Sequence, residues 1–231
     1  MSAVIEVAAL TYRYEDGTEA LRGVDFRLEA GECVAVLGAN GSGKTTFVLH
    51  LNGLLTASAG TVRICGMEVN KSNLAAIRQR VGLVFQDSDE QLFMPTVIED
   101  VMFGPLNQGL DADQAEQRAR RALEQTGILK LAGRAPYHLS SGEKRRAALA
   151  GILAMDPEVL VLDEPTTFLD PPGQRDLRDL LRALPQAKLI VTHDIPFAQA
   201  LASRAVFFEG GRALAEGRVD EVVKRFDWTF R

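Results

Sequence analysis

The hydrophobic residues of this chain fall into short, nearly continuous apolar runs that alternate with longer amphipathic stretches. The runs VLVLD and LIVTH contain few polar positions, as expected for strands covered on both faces. Apolar residues at helical spacing lie between the runs, in the ranges 47–55, 111–125, 143–155 and 174–184. This alternation of strands and helices predicts an α/β fold with a parallel sheet at its centre.

The first 35 residues carry a different pattern. Three β-like runs, IEVAALTYRY, VDFRLEA and CVAVL, are separated by turn signals at Asp16-Gly17 and Ala30-Gly31. Short strands joined by such turns predict an antiparallel sheet that leads into the glycine-rich phosphate loop described below. Further strand candidates along the chain are TVRICG, VGLVF and AVFFEGG.

Residues from about 87 to 155 have helix signals and almost no strand signal. We interpret this range as a mostly helical subdomain inserted into the α/β core. The core, with the antiparallel β-subdomain, then comprises about residues 1–86 and 156–231. Because the chain has no internal repeat and no linker-like stretch, residues 1–231 are predicted to form a single domain.

Composition narrows the classes of partner. The chain has 231 residues, of which 26 are basic and 31 acidic, and its formal net charge of −5 disfavours a strongly basic nucleic-acid binder. Cys33 and Cys65 match no metal or disulfide spacing, which indicates a reducing compartment. We expect no signal peptide, because Glu6 interrupts the N-terminal apolar stretch, and no apolar run approaches the length of a membrane span.

The segment GANGSGKTT lies between the apolar run VAVL and the helical segment FVLHLNGLL. It fits the pattern G-x-x-x-x-G-K-[ST], whose backbone N–H groups and following helix N-terminus form an anion-binding concavity. We expect Lys44 to reach the β- and γ-phosphates of a nucleotide and the Thr45 hydroxyl to ligate Mg²⁺. The loop alone does not assign a function, since kinases, GTPases, helicases and transporter ATPases share it. The predicted nucleotide-binding residues are Gly38, Asn40, Gly41, Ser42, Gly43, Lys44, Thr45 and Thr46.

Two carboxylates, Asp163 and Glu164, close the strand candidate in EVLVLDEP. Ligands of a parallel sheet collect beyond the carboxyl ends of its strands, so these side chains should lie near the phosphate loop. We expect Asp163 to hold Mg²⁺ through water and Glu164 to orient or deprotonate the attacking water. For an isolated Asp-Glu pair, a solvated acidic turn would be the alternative interpretation. The phosphate loop in the same chain favours the catalytic interpretation.

The segment LSSGE, residues 139–143, stands immediately before a predicted helix. Ser140 or Ser141 can cap this helix with Glu143 in its first turn, so an ordinary helix start is one interpretation. The same hydroxyl, the Gly142 N–H and the helix N-terminus can also form an anion site. Because the segment belongs to the helical subdomain, it can serve only a nucleotide that a second copy of the chain holds.

His193 and Gln86 each follow or close a strand candidate, LIVT and VGLVF respectively. A lone histidine at a strand end is by default a satisfied structural residue. Beside the other motifs, His193 can contact the γ-phosphate and help to place the water. Gln86 can reach Mg²⁺ or the water through its side-chain oxygen.

The phosphate loop, Gln86, LSSGE, VLVLDEP, Leu169-Asp170 and His193 occur in this order over nearly the whole chain. Together they resemble the nucleotide-binding subunit of an ABC transporter. The resemblance implies an ABC-type P-loop ATPase with a RecA-like parallel α/β core, an N-terminal antiparallel β-subdomain and an inserted α-helical subdomain. It also implies ATP and Mg²⁺ as cofactors.

The resemblance carries further roles onto individual positions. Tyr14 matches the family's adenine-stacking aromatic residue, with Tyr12 as the alternative. Asp170 belongs to the loop that crosses to the partner subunit. Two ATP molecules would be sandwiched in a head-to-tail homodimer with twofold symmetry. The residues that would close over the ATP of the other copy are Ser140, Ser141, Gly142 and Glu143.

Two positions depart from the family pattern. The usual signature is LSGGQ, and here Ser141 and Glu143 replace Gly and Gln. The Ser140 hydroxyl and the Gly142 N–H remain, so we expect the function to survive. Phe168 replaces a small residue just before Leu169-Asp170, where it would alter packing at the dimer seam.

The stretch VGLVFQDSDEQLFMPTVIEDVMFGPLNQGL is similar to the ATPases of energy-coupling-factor transporters, especially the cobalt/nickel group. In that family the segment lies against a transmembrane coupling component, which implies a peripheral place on the cytoplasmic face of the membrane. A short helix that Pro105 ends would carry an apolar stripe on one side, formed by Val97, Ile98, Val101 and Met102. Either burial in the core or docking in a partner's groove can explain the stripe. Since the chain ends soon after AEGRVDEVVKRF, we expect no long C-terminal regulatory extension.

The leading hypothesis is an ATP-hydrolysing motor subunit for cobalt or nickel uptake, partnered by a coupling component and a substrate-binding membrane component. The same machinery serving biotin or another vitamin is the alternative cargo. An ABC-type ATPase acting on nucleic acid is a second hypothesis, disfavoured by the acidic charge and the absence of a coiled-coil insertion in the sequence. A simple P-loop kinase would leave LSSGE and His193 unexplained.

Overall fold

Strands and helices alternate along the chain, as the apolar pattern predicts. The computed structural model describes residues 2–228. Their strands are β1 (Ala3–Arg13), β2 (Glu19–Glu29), β3 (Cys33–Leu37), β4 (Ala59–Ile64), β5 (Met67–Glu68), β6 (Val81–Val84), β7 (Val159–Asp163), β8 (Ala187–Val191), β9 (Arg204–Glu209) and β10 (Arg212–Gly217). Their α-helices are α1 (Lys44–Leu51), α2 (Leu74–Arg80), α3 (Val97–Asn107), α4 (Ala112–Gln125), α5 (Ser141–Leu153), α6 (Pro171–Ala183), α7 (Ile195–Leu201) and α8 (Val219–Arg225).

The most apolar runs lie side by side in a six-stranded sheet of order β10-β9-β3-β8-β7-β6. Its pairs are parallel, except for the antiparallel pair of β9 with the edge strand β10. Alternate residues of β7 enter different cores: Val159 and Val161 pack with Phe47 of α1, whereas Leu160 and Leu162 pack with residues of α5 and α6. The strand is therefore covered on both faces, which explains its continuous apolar run.

The antiparallel sheet has the order β2-β1-β4-β5. The runs IEVAALTYRY and VDFRLEA form β1 and β2 as predicted, and TVRICG supplies β4. The run CVAVL was wrongly assigned to this sheet from the sequence. It forms β3, which pairs in parallel with both β8 and β9 in the six-stranded sheet. Four of its five residues are buried, as a central strand requires.

Side-chain caps fix where the longer helices begin. Asp111, Ser140 and Asp170 each accept a hydrogen bond from the backbone N–H of the third residue of the helix that follows, α4, α5 and α6 respectively. The predicted range 143–155 therefore begins two residues too late, and 174–184 begins three too late. The elements between β6 and β7 are helical, and the subdomain boundaries near 87 and 155 stay a prediction. The short elements β5, β10, α2, α7 and α8 were not anticipated.

The stripe on α3 is part of the core. Val97 and Val101 are fully buried, and Ile98 and Met102 pack against the same apolar cluster. Of the two interpretations of this stripe, burial in the core is therefore correct. Any docking surface must lie on another side of the helix. Within residues 2–228, none of the helices is both long and apolar enough to cross a bilayer.

The prediction that Pro105 ends this helix is wrong. Pro105 lies inside α3, which continues to Asn107. Proline lacks one backbone N–H, but here only the last turn is affected. The Gln108 N–H bonds to the carbonyl oxygens of Gly104 and Pro105, at 3.0 and 3.1 Å, so the final turn remains closed.

Gly82 fixes how closely α5 approaches the sheet. A Cβ atom built on Gly82 of β6 would lie 2.0 Å from Cγ2 of Ile152. We expect Gly82→Ala to lower the free energy of unfolding by about 1–3 kcal/mol, because the added methyl group must displace α5. Urea denaturation measures this change.

Gly133→Ala is the matched control, because its Cβ would meet nothing within 4 Å. We expect that variant to stay within about 0.5 kcal/mol of the parent. In an Ile152→Ala background, which removes the opposing Cγ2 atom, Gly82→Ala should add little further loss. An equal loss in both backgrounds would contradict the proposed contact.

Candidate active site

Glycines shape the loop that joins β3 to α1. Gly41 and Gly43 have φ values of 77° and 103°, in a region that glycine adopts far more readily than other residues. A Cβ atom on Gly43 would also lie 2.6 Å from the Ala20 carbonyl oxygen. Gly43 is the N-cap of α1 and gives it no side-chain hydrogen bond, so the first N–H groups of the helix are left for a ligand.

Lys44 lies buried under this loop. Its Nζ donates to the carbonyl oxygens of Gly38 and Ala39, at 2.8 and 2.9 Å. Burial lowers the pKa of Lys44, and the nearby carboxylates oppose that shift. The Ser42 Oγ is buried and has no hydrogen-bond partner among residues 2–228. The Lys44 ammonium also lines the cleft in front of the loop, so it fits an incoming phosphate group.

Thr45 and Asp163 meet across the sheet edge. Asp163 is the last residue of β7, and the Thr45 Oγ1 donates to its Oδ2 at 3.0 Å. Burial raises the pKa of Asp163, and the Thr45 hydrogen bond opposes this rise. A hydroxyl and a carboxylate side by side are the hard oxygen donors that Mg²⁺ prefers, so these two residues fit that ion. Bound Mg²⁺ would offset the charge of the phosphates.

Glu164 and His193 form a pair at the same edge. The His193 Nδ1 lies 2.8 Å from Glu164 Oε2, and the backbone N–H of His193 also donates to that oxygen, at 3.3 Å. Glu164 is buried, its φ is 46°, and its own N–H bonds to the Val191 carbonyl at the end of β8. The carboxylate is thus held in one orientation, as a group that must position water requires.

Tyr14, rather than Tyr12, faces the nucleotide loop. The Tyr14 hydroxyl lies 2.9 Å from Thr46 Oγ1, and the ring lines the cleft in front of the loop. Tyr12 packs against the apolar core and makes edge contacts with the rings of Tyr14 and His50, at 4.9 and 4.8 Å. This arrangement favours Tyr14 as the aromatic residue available to a base.

The predicted residues near the loop line one cleft of about 620 Å³. Gly38 and Ser42 belong to the loop but are absent from the described lining of this cleft, and a Cβ on Gly38 would lie 3.0 Å from Ser42 Oγ. The sequence-predicted residues in the lining are Tyr14, Asn40, Gly41, Gly43, Lys44, Thr45, Thr46, Gln86, Asp163 and Glu164. The lining residues that sequence reasoning missed are Thr18, Glu19, Ala20, Arg22, Gly210 and Gly211, which belong to no motif.

The residues of LSSGE lie elsewhere. Ser140 and Glu143 form a capping box at the start of α5, in which the Glu143 side chain accepts from the Ser140 N–H at 2.9 Å. With Gly142 and Leu169 they line a separate depression of about 260 Å³. Asp170 caps α6 and is absent from the described lining of the phosphate-loop cleft. The predicted nucleotide-contacting residues therefore occupy two places on one chain.

Arg145 connects these two places, and sequence reasoning missed it. Its guanidinium donates to the carbonyl oxygens of Phe85 and Gln86, at 2.5 and 2.6 Å. Arg145 is buried on α5, whereas Gln86 lines the cleft. No local pattern could have indicated this contact, because it joins residues 59 positions apart.

The fold and the cleft define a P-loop ATPase. A family profile described as ABC transporter matches residues 21–167. A putative ABC transporter ATP-binding protein of Streptomyces avermitilis is 54% identical over 95% of this chain and 84% of its own length. The energy-coupling factor transporter ATP-binding protein EcfA of Methanothermobacter thermautotrophicus is 48% identical over 96% of this chain and 73% of its own.

Solved structures agree with this assignment. The structure of cbiO1 from Clostridium perfringens, part of the ABC transporter complex cbiONQ, has a TM-score of 0.88 and 36% identity over 98% of this chain and 93% of that chain. The dimeric cassette MJ0796 with ADP and Pi has a TM-score of 0.83 and 26% identity over 93% and 98%. The chain belongs to the ABC transporter family. It is the ATP-binding subunit of a transporter, an ATPase coupled to transport. The predicted fold class is confirmed.

The buried charge of Asp163 should lower the free energy of unfolding of the nucleotide-free chain. A carboxyl whose pKa is higher in the folded chain binds its proton more tightly there, so its charge destabilises the fold as pH rises above the unfolded value. We expect Asp163→Asn to raise the free energy of unfolding at pH 7, with the gain vanishing below about pH 4. Urea denaturation across this pH range measures it.

The exposed Asp113→Asn is the control and should change stability by no more than about 0.5 kcal/mol. Hydrolysis that depends on Mg²⁺ should fall in Asp163→Asn despite the gain in stability. A variant that is less stable than the parent at pH 7 would contradict the unfavourable burial of this charge.

Proposed function

We propose that this chain is the ATP-hydrolysing motor subunit of an energy-coupling-factor importer for cobalt or nickel ions. Two observations support it: the similarity to the relative named EcfA, and the resemblance of residues 81–110 to the cobalt/nickel group. A separate membrane component carries the substrate site in this proposal. Biotin or another vitamin is therefore the alternative cargo for the same machinery.

The observation that carries the mechanism is the division of the predicted nucleotide-contacting residues between two places on one chain. Neither place is complete alone, whereas a head-to-tail pair of chains would bring the depression of one copy over the cleft of the other. The dimeric cassette MJ0796, described with ADP and Pi, supports this arrangement. Two ATP molecules would then sit between two copies, and their binding would be coupled to a rigid-body movement.

In each ATP site, Lys44 binds the β- and γ-phosphates and Glu164 accepts a proton from the water that attacks the γ-phosphorus. The bond from that phosphorus to the bridging oxygen breaks, and ADP leaves with the oxygen. His193 holds the Glu164 carboxylate at 2.8 Å and can also contact the γ-phosphate. Thr45 and Asp163 would hold Mg²⁺, which would offset the negative charge of the phosphates.

A groove between α2, α3 and α5 is where we propose that the membrane coupling component docks. Its volume is about 540 Å³, and its walls include Arg78 of α2, Met155 beyond α5, and the exposed rings of Phe93 and Phe103. The two rings meet edge to face at 5.0 Å. Exposed aromatic residues around a concave surface are typical of a binding site for a partner helix. Docking here would hold the chain peripherally on the cytoplasmic face of the membrane.

Asp100 supplies a polar feature in this groove. Its Oδ1 accepts the backbone N–H groups of Phe93 and Met94, both at 3.0 Å. Its Oδ2 is buried and has no hydrogen-bond partner among residues 2–228. By accepting these two N–H groups, Asp100 holds the segment that carries Phe93 against α3, so this wall of the groove is fixed before a partner docks.

Removing the two aromatic rings should uncouple the chain from the membrane. We expect Phe93→Ala/Phe103→Ala to lose the polytopic protein that co-purifies with the tagged chain from solubilised membranes, and to retain ATP binding. Leu54→Ala, an exposed apolar residue outside the groove, is the control and should retain it.

The co-purified proteins also decide the cargo. A metal-binding membrane subunit would support cobalt or nickel, and a vitamin-binding one would correct the cargo while leaving the mechanism. Retention of the membrane proteins by the double variant would contradict docking at this groove. Recovery of nucleic acid or ribosomes alone would contradict the proposed importer.

Glu164→Gln should separate ATP binding from hydrolysis. The amide preserves the shape of the side chain but cannot accept the proton, so we expect turnover at least about a hundredfold slower, with ATP affinity retained. Lys44→Ala is the complementary variant and should weaken ATP binding itself. Steady-state hydrolysis and binding of a fluorescent ATP analogue measure both. Near-normal turnover of Glu164→Gln would remove Glu164 from its proposed role.

A further inference from the structure

Gly211 connects the phosphate loop to β2. It lies in the turn between β9 and β10, far along the chain from that loop. Its backbone N–H donates to the Ser42 carbonyl oxygen at 3.0 Å, and its own carbonyl oxygen accepts the Arg22 N–H at 2.8 Å. One residue therefore ties the loop in front of α1 to a strand of the antiparallel sheet.

The backbone around Gly211 leaves no room for a side chain. Its φ is 77°, and a Cβ atom built there would lie 2.7 Å from the Ala20 carbonyl oxygen and 3.3 Å from Leu21 Cα. The same Ala20 oxygen would lie 2.6 Å from a Cβ atom on Gly43. All of these neighbours are backbone atoms, so none of them could rotate away. Glycine is therefore required for the turn to approach Ser42 so closely.

The carbonyl group that Gly211 holds belongs to the same peptide as the Gly43 N–H. Because a trans peptide is planar, its carbonyl and its N–H point in opposite directions, so fixing one fixes the other. Gly43 lines the cleft, and backbone N–H groups of a loop with this pattern bind phosphate oxygens. Rotation of the peptide would turn a carbonyl oxygen toward the phosphates in place of the N–H, which would repel an anion.

We propose that Gly211 is a positioning residue for ATP binding, whose N–H fixes the Ser42–Gly43 peptide with the Gly43 N–H toward the phosphates. This role rests on the proposed binding of phosphate at the loop, and neither the importer nor its cargo enters it. Gly211 lines the cleft, but its N–H and carbonyl oxygen are both bonded within the chain and it has no side chain. It therefore acts through the loop rather than on the ligand.

Gly211→Ala should weaken the binding of phosphate groups. The methyl group must displace the turn from Ala20, which releases the Ser42 carbonyl and removes one N–H contact to a charged phosphate. We expect the dissociation constant of a fluorescent ATP analogue to rise by about tenfold or more. The dissociation constant of inorganic tripolyphosphate, measured by displacement of the analogue, should rise by a similar factor. An unchanged affinity for tripolyphosphate would overturn the proposed role.

Two matched variants separate this effect from strain and from general loss of stability. Gly66→Ala introduces a methyl group at a φ of 79° with nothing within 4 Å, so it tests the backbone conformation alone. Gly82→Ala introduces a close contact with Ile152, away from the described cleft. Both variants should keep the dissociation constant for the ATP analogue within about twofold of the parent. A tenfold loss in Gly82→Ala would show that destabilisation alone weakens binding, which contradicts a specific role for Gly211.

Amide hydrogen exchange of the parent chain provides a test that does not depend on the folding of Gly211→Ala. We expect NMR to show a protected Gly211 amide, which exchanges still more slowly with ADP and Mg²⁺ because the ligand stabilises the loop that accepts its hydrogen bond. Rapid exchange of this amide in both states would show that the bond to Ser42 is not maintained, and the proposal would fail.

Lys44→Ala distinguishes failure of this proposal from failure of the phosphate site itself. If Lys44→Ala binds the ATP analogue as tightly as the parent, the phosphate-loop assignment is wrong and the role of Gly211 fails with it. If Lys44→Ala weakens binding and Gly211→Ala does not, the loop assignment stands and only the role of Gly211 is overturned.

Discussion

The parallel pairing of β7 with β8, and of β8 with β3, is the constraint on which the rest of this structure depends. It aligns the carboxyl ends of three strands at one edge of the sheet. The phosphate loop follows β3, Asp163 and Glu164 close β7, and His193 follows β8. Residues more than a hundred positions apart therefore meet there, as in the 3.0 Å contact between Thr45 and Asp163.

Burial at this edge has opposite effects on two groups of opposite charge. It lowers the pKa of Lys44 and raises the pKa of Asp163, so the folded chain resists both charges. The nucleotide-free site is consequently strained electrostatically, although its groups are already in position. Triphosphate and a divalent cation would supply the counter-charges that each buried group needs, which explains why the site is built for ligands rather than for stability.

Features that depend on local spacing were predictable from the sequence. The glycine loop, the carboxylates after β7 and the boundaries of β3 and β7 agree with the structure, because each follows from a short motif or an apolar run. The sheet to which β3 belongs was not predictable, since periodicity indicates a strand without naming its neighbours. The continuation of α3 past Pro105 depended on a last turn that closes without the missing N–H.

The capping at Ser140 was anticipated as one of two possibilities, and the structure has the capping box itself. The resemblance implied Tyr14 with Tyr12 as the alternative, and the packing of Tyr12 against His50 of α1 favours the same residue. The role of Arg145 was not predictable, because a buried guanidinium that binds two carbonyl oxygens has no signature in the sequence. Local chemistry was thus accessible, whereas contacts between distant segments required coordinates.

The contact of Arg145 has a mechanical meaning. Two nitrogen atoms of one planar guanidinium donate to the consecutive carbonyl groups of Phe85 and Gln86, so they constrain the orientation of this segment as well as its distance from α5. Helix α5 is thereby fixed to the segment that follows β6. Lysine carries a single ammonium on a flexible stem and could hold the distance but not the angle. Lysine therefore cannot replace Arg145 at this position, because its geometry differs although its charge is the same.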